Sequence, residues 1–395
     1  MKKDKIWTKD FIFILTSNFF VSLSFYLLMT TMAVYAIHQF HATESRAGLV
    51  ASIFIFGALI ARLFAGKFID LIGRKKMIYI GLILFLIGSI TYLLVSSIGF
   101  LMVFRFIHGI GFGISTTILA TVNMSSLPPN KRGEGIGYFS LSTAAGTAIG
   151  PFLALYLTSH FTYDTMFMYC IIFSVIALVS IALATIKEVD ITQEQKETIK
   201  KSFRFKDFYE KKALPIALLM FLCGIAYSGV ISFINSYAIE LNLTKAASFF
   251  FIVYAIFLFL SRPIAGKIVD RKGENIVVFP SYVFFTISLL LITFAKNGFI
   301  LLLAGAFLAI GYGTIMSSMQ TIVGKISPPH RLGLAISTFY ICMDAGMGTG
   351  PYILGLVAEK FGFHTMYIIL AIAIFFLIPA YYLVHGKKAR TVKTI

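Results

Sequence analysis

The chain has 395 residues, 58% of them hydrophobic and 13% charged, with a mean hydropathy of +0.88. A soluble chain carries about 25% charged residues, so a single core in water is excluded and the composition is that of a membrane protein. The net charge of +17 raises nucleic acid as a partner, but the placement of the charges accounts for it without one.

The first residues, MKKDKIWTKD, precede an apolar run from Phe11 to about Ile37. That run is longer than the roughly 7–15 residues of a secretory signal core, so it reads as the first membrane helix. A span needs about 20 apolar residues, and twelve such runs follow one another along the chain. The first six lie near 11–37, 47–68, 77–97, 99–123, 134–158 and 165–186, and the second six near 213–239, 247–268, 276–295, 299–323, 334–357 and 365–385. Between the two sets lies 187–212, with eight basic and six acidic residues. It reads as a solvated linker, and its Phe203, Phe205, Phe208 and Tyr209 also suit a helix lying on the membrane surface. The predicted domains are an N-terminal six-helix bundle over 1–186, a cytoplasmic linker over 187–212 and a C-terminal bundle over 213–395.

An even number of spans puts both termini on one side, and the excess of Lys and Arg marks the cytoplasmic side. With cytoplasmic termini, 29 of the 34 Lys and Arg fall in or beside cytoplasmic segments. The chain is therefore expected to be a multi-pass protein of the plasma or inner membrane, monomeric, with the lipid bilayer and no nucleic acid as partner. Cys170, Cys223 and Cys342 lie far apart in apolar runs and show no disulfide or metal spacing. His38, His41 and Glu44 fall short of the roughly four ligands that a metal site needs. No metal or cofactor is expected.

The chain repeats itself at a spacing of 200. Gly66, Lys67, Asp70 and Gly73 return as Gly266, Lys267, Asp270 and Gly273, and Arg62 returns as Arg262. Gly133, Gly146, Gly150 and Pro151 return as Gly333, Gly346, Gly350 and Pro351. Two six-span repeats in the same orientation are a transporter architecture. The fold class is thus all-α, twelve transmembrane helices in two pseudo-symmetric bundles.

The same residues carry a family resemblance. Gly66-Lys67-Phe68-Ile69-Asp70-Leu71-Ile72-Gly73-Arg74-Lys75-Lys76 resembles the signature loop between helices 2 and 3 of the major facilitator superfamily. Arg105-Phe106-Ile107-His108-Gly109 resembles its helix 4 signature, with His108 where Gln is usual. Gly137, Gly146, Gly150 and Pro151 resemble the helix 5 signature of the drug–proton antiporter branch, although Ala154-Leu155 replaces the usual closing Gly-Gly. The resemblance implies alternating access between two bundles, with Asp70 and Arg74 locking a cytoplasmic gate. Asp270 is expected to be the weaker counterpart, since its loop lacks the Arg-Lys-Lys tail. Small residues four apart let helices approach closely in lipid, so Gly137, Gly146, Gly150, Gly346 and Gly350 serve either as packing contacts or as faces on which the bundles rock. Pro151 and Pro351 add a weak point to each helix.

Chemistry belongs where the repeat fails. Arg105 aligns with Gly305 and Asp344 with Ala144. A charge within a span costs at least about 2.5–3.5 kcal/mol, so both are expected to face a cavity or a partner. Asp344 is either a proton carrier or the static partner of Arg105. His108, one turn after Arg105, is an assisting titratable group or a hydrogen-bonded structural residue. Asn18, Tyr26, Tyr138, Tyr227, Asn235, Gln320 and Tyr340 are the polar residues within spans that are candidates for the pathway.

The leading function is proton-driven export of small amphiphilic molecules, with the proton as coupling ion. An importer or symporter of a small nutrient or organic anion is the alternative, with Arg105 clasping the anion. No phosphate loop, His-Glu-x-x-His or paired intramembrane aspartates occur, so neither an ATP-driven pump nor an intramembrane enzyme is expected. A sensor of the same fold lacks its usual long soluble appendage.

Overall fold

In the computed structural model, which describes residues 5–201, 204 and 207–389, the chain is helical and no strand occurs among the described residues. The first six spans are α1 (Lys9–Phe40), α2 (Glu44–Ile72), α3 (Arg74–Thr91), α4 (Ile98–Ser126), α5 (Arg132–His160) and α6 (Tyr163–Leu183). A short α7 (Gln193–Lys201) lies in the polar linker, whose Phe203 and Phe205 are outside the described residues. Then come α8 (Leu214–Glu240), α9 (Thr244–Lys272) and α10 (Asn275–Thr293), followed by α11 (Gly298–Ile326), which contains a π-turn at Ala309–Gly313.

The last apolar stretch, Leu332–Tyr381, breaks at Gly362, whose φ of 79° and ψ of 162° are not helical. It supplies two spans, α12 over 332–361 and α13 over 363–381. The twelve predicted spans are therefore α1–α6 and α8–α13.

The helix ends follow ordinary capping chemistry. Thr8, Ser97 and Asn297 accept from the N–H groups of Phe11, Phe100 and Ile300 at 3.2, 3.4 and 3.0 Å, each satisfying one donor that the first turn leaves open. Gly73 and Gly273 end α2 and α9 at φ 100° and 90°. Only glycine adopts that backbone without strain, which is why the repeated loop keeps both.

Inside the bundles α2 and α3 pack on α4, and α9 and α10 pack on α11. Glycine makes the closest approaches possible: a Cβ on Gly111 would sit 2.5 Å from the Phe85 nitrogen, and one on Gly311 would sit 2.5 Å from the Phe285 nitrogen. The repeat thus extends to the packing.

Two compact units result. Unit 1 comprises residues 1–127, 142–210 and 328–338, and unit 2 comprises 128–141, 211–327 and 339–395. Each unit therefore takes in a short segment from across the predicted division: the start of α5 belongs to unit 2, and the start of α12 to unit 1.

Candidate functional site

Unit 1 gathers the first signature loop. Asp70 accepts from Arg74 Nε at 2.9 Å, with side chains only 4% and 1% exposed. Arg74 also reaches the Pro329 carbonyl at 3.4 Å. The pair is thus deeply buried, not the weak surface contact that a loop position suggests, and removing one partner of a buried pair costs about 3–5 kcal/mol. The open N–H groups at the start of α3, those of Arg74 and Lys75, donate to the Glu188 carboxylate at 2.6 and 2.8 Å. Gly66 lies against the Gly333 carbonyl and the Ser337 side chain, and Ser337 donates to the Arg62 carbonyl. Arg331 pairs with Glu210, whose own N–H donates to Thr338 Oγ1 at 2.9 Å.

Unit 2 builds the second loop differently. Asp270 accepts from the N–H groups of Gly133 and Glu134, both at 2.8 Å, and so caps α5 from α9. Lys267 pairs with Glu134 at 3.3 Å. Arg262 donates to the Ser140 carbonyl at 2.6 Å and to the Gly313 carbonyl at 3.2 Å. A Cβ on Gly133 would lie 2.6 Å from the Gly266 carbonyl oxygen, so the two backbones touch where both halves of the repeat have glycine. A carboxylate on two helix N-terminal donors also meets the positive end of the helix dipole.

Within the span region of unit 1, Arg105 is buried against α2. Its Nε donates to the Val50 carbonyl at 3.1 Å and Nη2 to the Ala51 carbonyl at 3.5 Å, and the guanidinium lies 4.6 Å from the centre of the Phe54 ring. Nη1 has no partner among the described residues. One turn on, His108 is wholly buried. The Tyr92 hydroxyl lies 2.7 Å from its Nδ1, and Ser89 Oγ lies 3.4 Å from its Nε2 and 3.0 Å from Ser174 Oγ. This arrangement suits a neutral imidazole that accepts from the phenol and donates to the serine.

In unit 2, Asp344 is half-buried on α12, the thirteenth residue from Leu332 and about 18 Å along the helix at 1.5 Å per residue. Gln320 donates to the Tyr340 hydroxyl at 3.2 Å, and its buried Oε1 has no partner among the described residues. Tyr227 lies flat on Tyr312, with centroids 3.8 Å apart, and also faces Tyr254 at 6.0 Å. Tyr312 sits in the π-turn of α11, a feature frequent at functional sites.

The other predicted positions divide between packing and open surface. Asn18 joins α1 to α5 through Ser142 and Thr143 at 2.7 and 2.9 Å. Gly146 and Gly150 back onto Ser22 and Tyr26 of α1, 2.8 and 2.7 Å from where a Cβ would sit, and Gly137 backs onto the Arg262 carbonyl. Gly346 and Gly350 lie against α8 at Phe221 and Ser228. Pro151 and Pro351 each sit inside their helix. Tyr26 and Tyr138 are half-buried, while Asn235 is exposed on α8.

Sequence reasoning left out several participants. Glu188 and Glu210 belong to a mixed-charge segment that reads as solvated. Tyr254 and Tyr312 carried no signal beyond tyrosine in an apolar run. Arg62 and Arg262 did carry one, since both recur at the repeat spacing.

A family model described as Major Facilitator Superfamily matches residues 14–279 and 216–394. The staphylopine export protein of Staphylococcus aureus is 24% identical over 389 residues, covering 93% of this chain and 94% of its own. A multi-drug resistance efflux pump PmrA homolog of Lactococcus lactis is 26% identical over 373 residues, covering 89% of each. The fucose:proton symporter FucP of E. coli superimposes with a TM-score of 0.72 at 18% identity, covering 95% of this chain and 99% of its own, a likeness of fold.

Proposed function

Since the chain belongs to the Major Facilitator Superfamily, and is a multi-pass membrane transporter and not an enzyme, we propose that it exports small amphiphilic molecules in exchange for protons by alternating access. One observation carries the coupling: a half-buried carboxylate, Asp344, stands partway along α12 where the repeat partner is the buried Ala144. The fold needs no acid there, and an ionisable residue inside a span is a functional candidate by default. In this reading Asp344 takes a proton on one side and releases it on the other.

The direction rests on the relatives named for export and efflux and on the helix 5 glycines. The contacts of Asp70, Arg74 and Asp270 support a gate role for the two repeated loops. The stacked Tyr227, Tyr254 and Tyr312 support an amphipathic pathway with few fixed polar demands. That suits substrates recognised by shape and aromatic contact.

The test is a proteoliposome assay with an imposed proton gradient and a fluorescent lipophilic cation as probe. Accumulation against the probe's own gradient that collapses with a protonophore supports exchange. Uptake that runs with the proton gradient in the same direction would establish symport instead. Cysteines placed in 187–212 of intact cells, resistant to an impermeant thiol reagent, would establish the cytoplasmic side.

A further inference from the structure

Each unit carries an open apolar groove, and the two grooves are related by the repeat. The first, about 220 Å³, lies on α2–α4, and the second, about 390 Å³, lies on α9–α11. Phe64, Phe68 and Ile110 of the first return as Ile264, Ile268 and Ile310 of the second. The repeated packing thus gives both units the same apolar surface at the same register.

Each groove leads to a pair of cations. On α9 the lining positions 257, 261, 264 and 268 advance by three or four residues, the spacing of one helix face. The next positions on that face are Arg271 and Lys272, exposed in the last turn. In unit 1 the lining runs through Phe68 and Ile72 to Met77, and Lys75 and Lys76 stand exposed just before Met77. None of these four side chains has an ion-pair partner among the described residues. The neighbouring charges are engaged: Lys267 with Glu134 and Glu274 with Lys325.

We propose that each unit binds an anionic phospholipid of the bilayer, with one acyl chain in the groove and the phosphate held by Arg271 and Lys272 in unit 2, or by Lys75 and Lys76 in unit 1. The division of labour follows from the solvent. An acyl chain in a bilayer is already out of water, so the apolar wall fixes where the chain lies but does not choose among lipids. The choice falls to the headgroup, and paired cations at the membrane surface favour a negative one. Unit 2 holds its lipid more tightly. In unit 1 the Glu188 carboxylate caps the N–H groups of Arg74 and Lys75 beside the two lysines, whereas in unit 2 the nearby Glu274 carboxylate is taken by Lys325.

The test is native mass spectrometry of the full chain released from detergent with equal amounts of phosphatidylglycerol and phosphatidylcholine of the same acyl chains. Up to two phosphatidylglycerol molecules should be retained, with a preference of roughly fivefold for each cation engaged. Arg271→Gln with Lys272→Gln should remove the stronger adduct, Lys75→Gln with Lys76→Gln the weaker. Exchanging the pair, Arg271→Lys with Lys272→Arg, should keep it. Ser261→Trp, which fills the second groove, should lower retention with the cations in place. Equal retention of both lipids by the unaltered chain, or an unchanged preference in correctly melting glutamine variants, would overturn the proposal. So would full displacement by millimolar inorganic phosphate, which would mean an anion site without a lipid, or unaltered retention by Ser261→Trp.

Discussion

The N–H of Gly133 is bound to the Asp270 carboxylate at 2.8 Å, and the next N–H, of Glu134, takes the second oxygen at the same distance. α5 is thereby capped by a side chain of α9. Its repeat counterpart, Asp70, engages the guanidinium of Arg74 one turn along. One motif written twice thus performs two different tasks.

Asp270→Asn keeps an acceptor for one N–H but loses the charge and the second bond. A lost cap and a lost charge at a helix start together amount to about 1–2 kcal/mol. Gradient-driven transport should therefore slow roughly fivefold or more, while Asp70→Asn, which disturbs a buried ion pair, should slow it further. Wild-type rates in Asp270→Asn beside a strongly impaired Asp70→Asn would leave the first loop as the principal gate.

Asp70→Ala leaves the buried Arg74 without its carboxylate, a loss of about 3–5 kcal/mol, and should lower the melting temperature well below that of Asp70→Asn. Adding Arg74→Met should recover most of the loss. A double variant as unstable as Asp70→Ala alone would show that the pair is not what stabilises this end of α2.

Asp344→Asn should express and bind substrate while losing uphill transport. Downhill exchange should survive, because Asn resembles the protonated acid, and Asp344→Glu should keep part of the activity. Normal uphill transport by a well-folded Asp344→Asn variant would remove the carboxylate from the coupling scheme. Low yield rescued by also neutralising Arg105 would make the two a structural pair.

His108→Gln tests whether the imidazole carries protons. Glutamine retains an acceptor for Tyr92 and a donor for Ser89 but does not titrate. Coupled transport and its pH profile should stay within about twofold of wild type, consistent with a neutral buried histidine whose two nitrogens are both engaged. Loss of coupling with intact downhill exchange would give His108 a proton-carrying part beside Asp344.

Glu274 gives a stability prediction with a definite sign. Burial alone would raise its carboxyl, but Lys325, with an ammonium 3.0 Å away, holds it below the ordinary value. A depressed folded pKa contributes stability above the unfolded value of about 4.3 and loses it as pH falls through the lower folded value. The melting temperature of the wild type should exceed that of Glu274→Gln by a steady margin from pH 8 down to about 5. The margin should shrink below about pH 4, and one that does not change with pH would place the effect elsewhere than in the ion pair.

The span count and the two-bundle plan were legible because length and apolarity decide them, and a spacing of 200 between Asp70 and Asp270 needs no structure to be seen. The glycines were legible for the same reason, since Gly73 and Gly273 recur where a positive φ is needed. Partners were not. Glu188 and Glu210 sit in a linker rich in charges of both signs, and nothing in that pattern distinguishes a solvated glutamate from one that caps α3 or pairs with Arg331. The burial of Asp70 was also hidden, since a loop-end aspartate reads as exposed until the start of α12 is seen beside it. Tyr312 lies in a π-turn and stacks on Tyr227, and such a turn leaves no periodic trace in so apolar a run.

The start of α5 belongs to unit 2 and the start of α12 to unit 1, so neither half of the polypeptide contains a complete compact body. Expressed alone, residues 213–395 would lack the Ser140 carbonyl that receives Arg262, and the first 186 residues would lack the Pro329 carbonyl that receives Arg74. Two such fragments made in one cell have reason to find each other, because each carries the arm that finishes the other. By the same logic, an ancestral six-helix chain that had not yet duplicated would have been finished by a second copy of itself, through a reciprocal trade of the same arms.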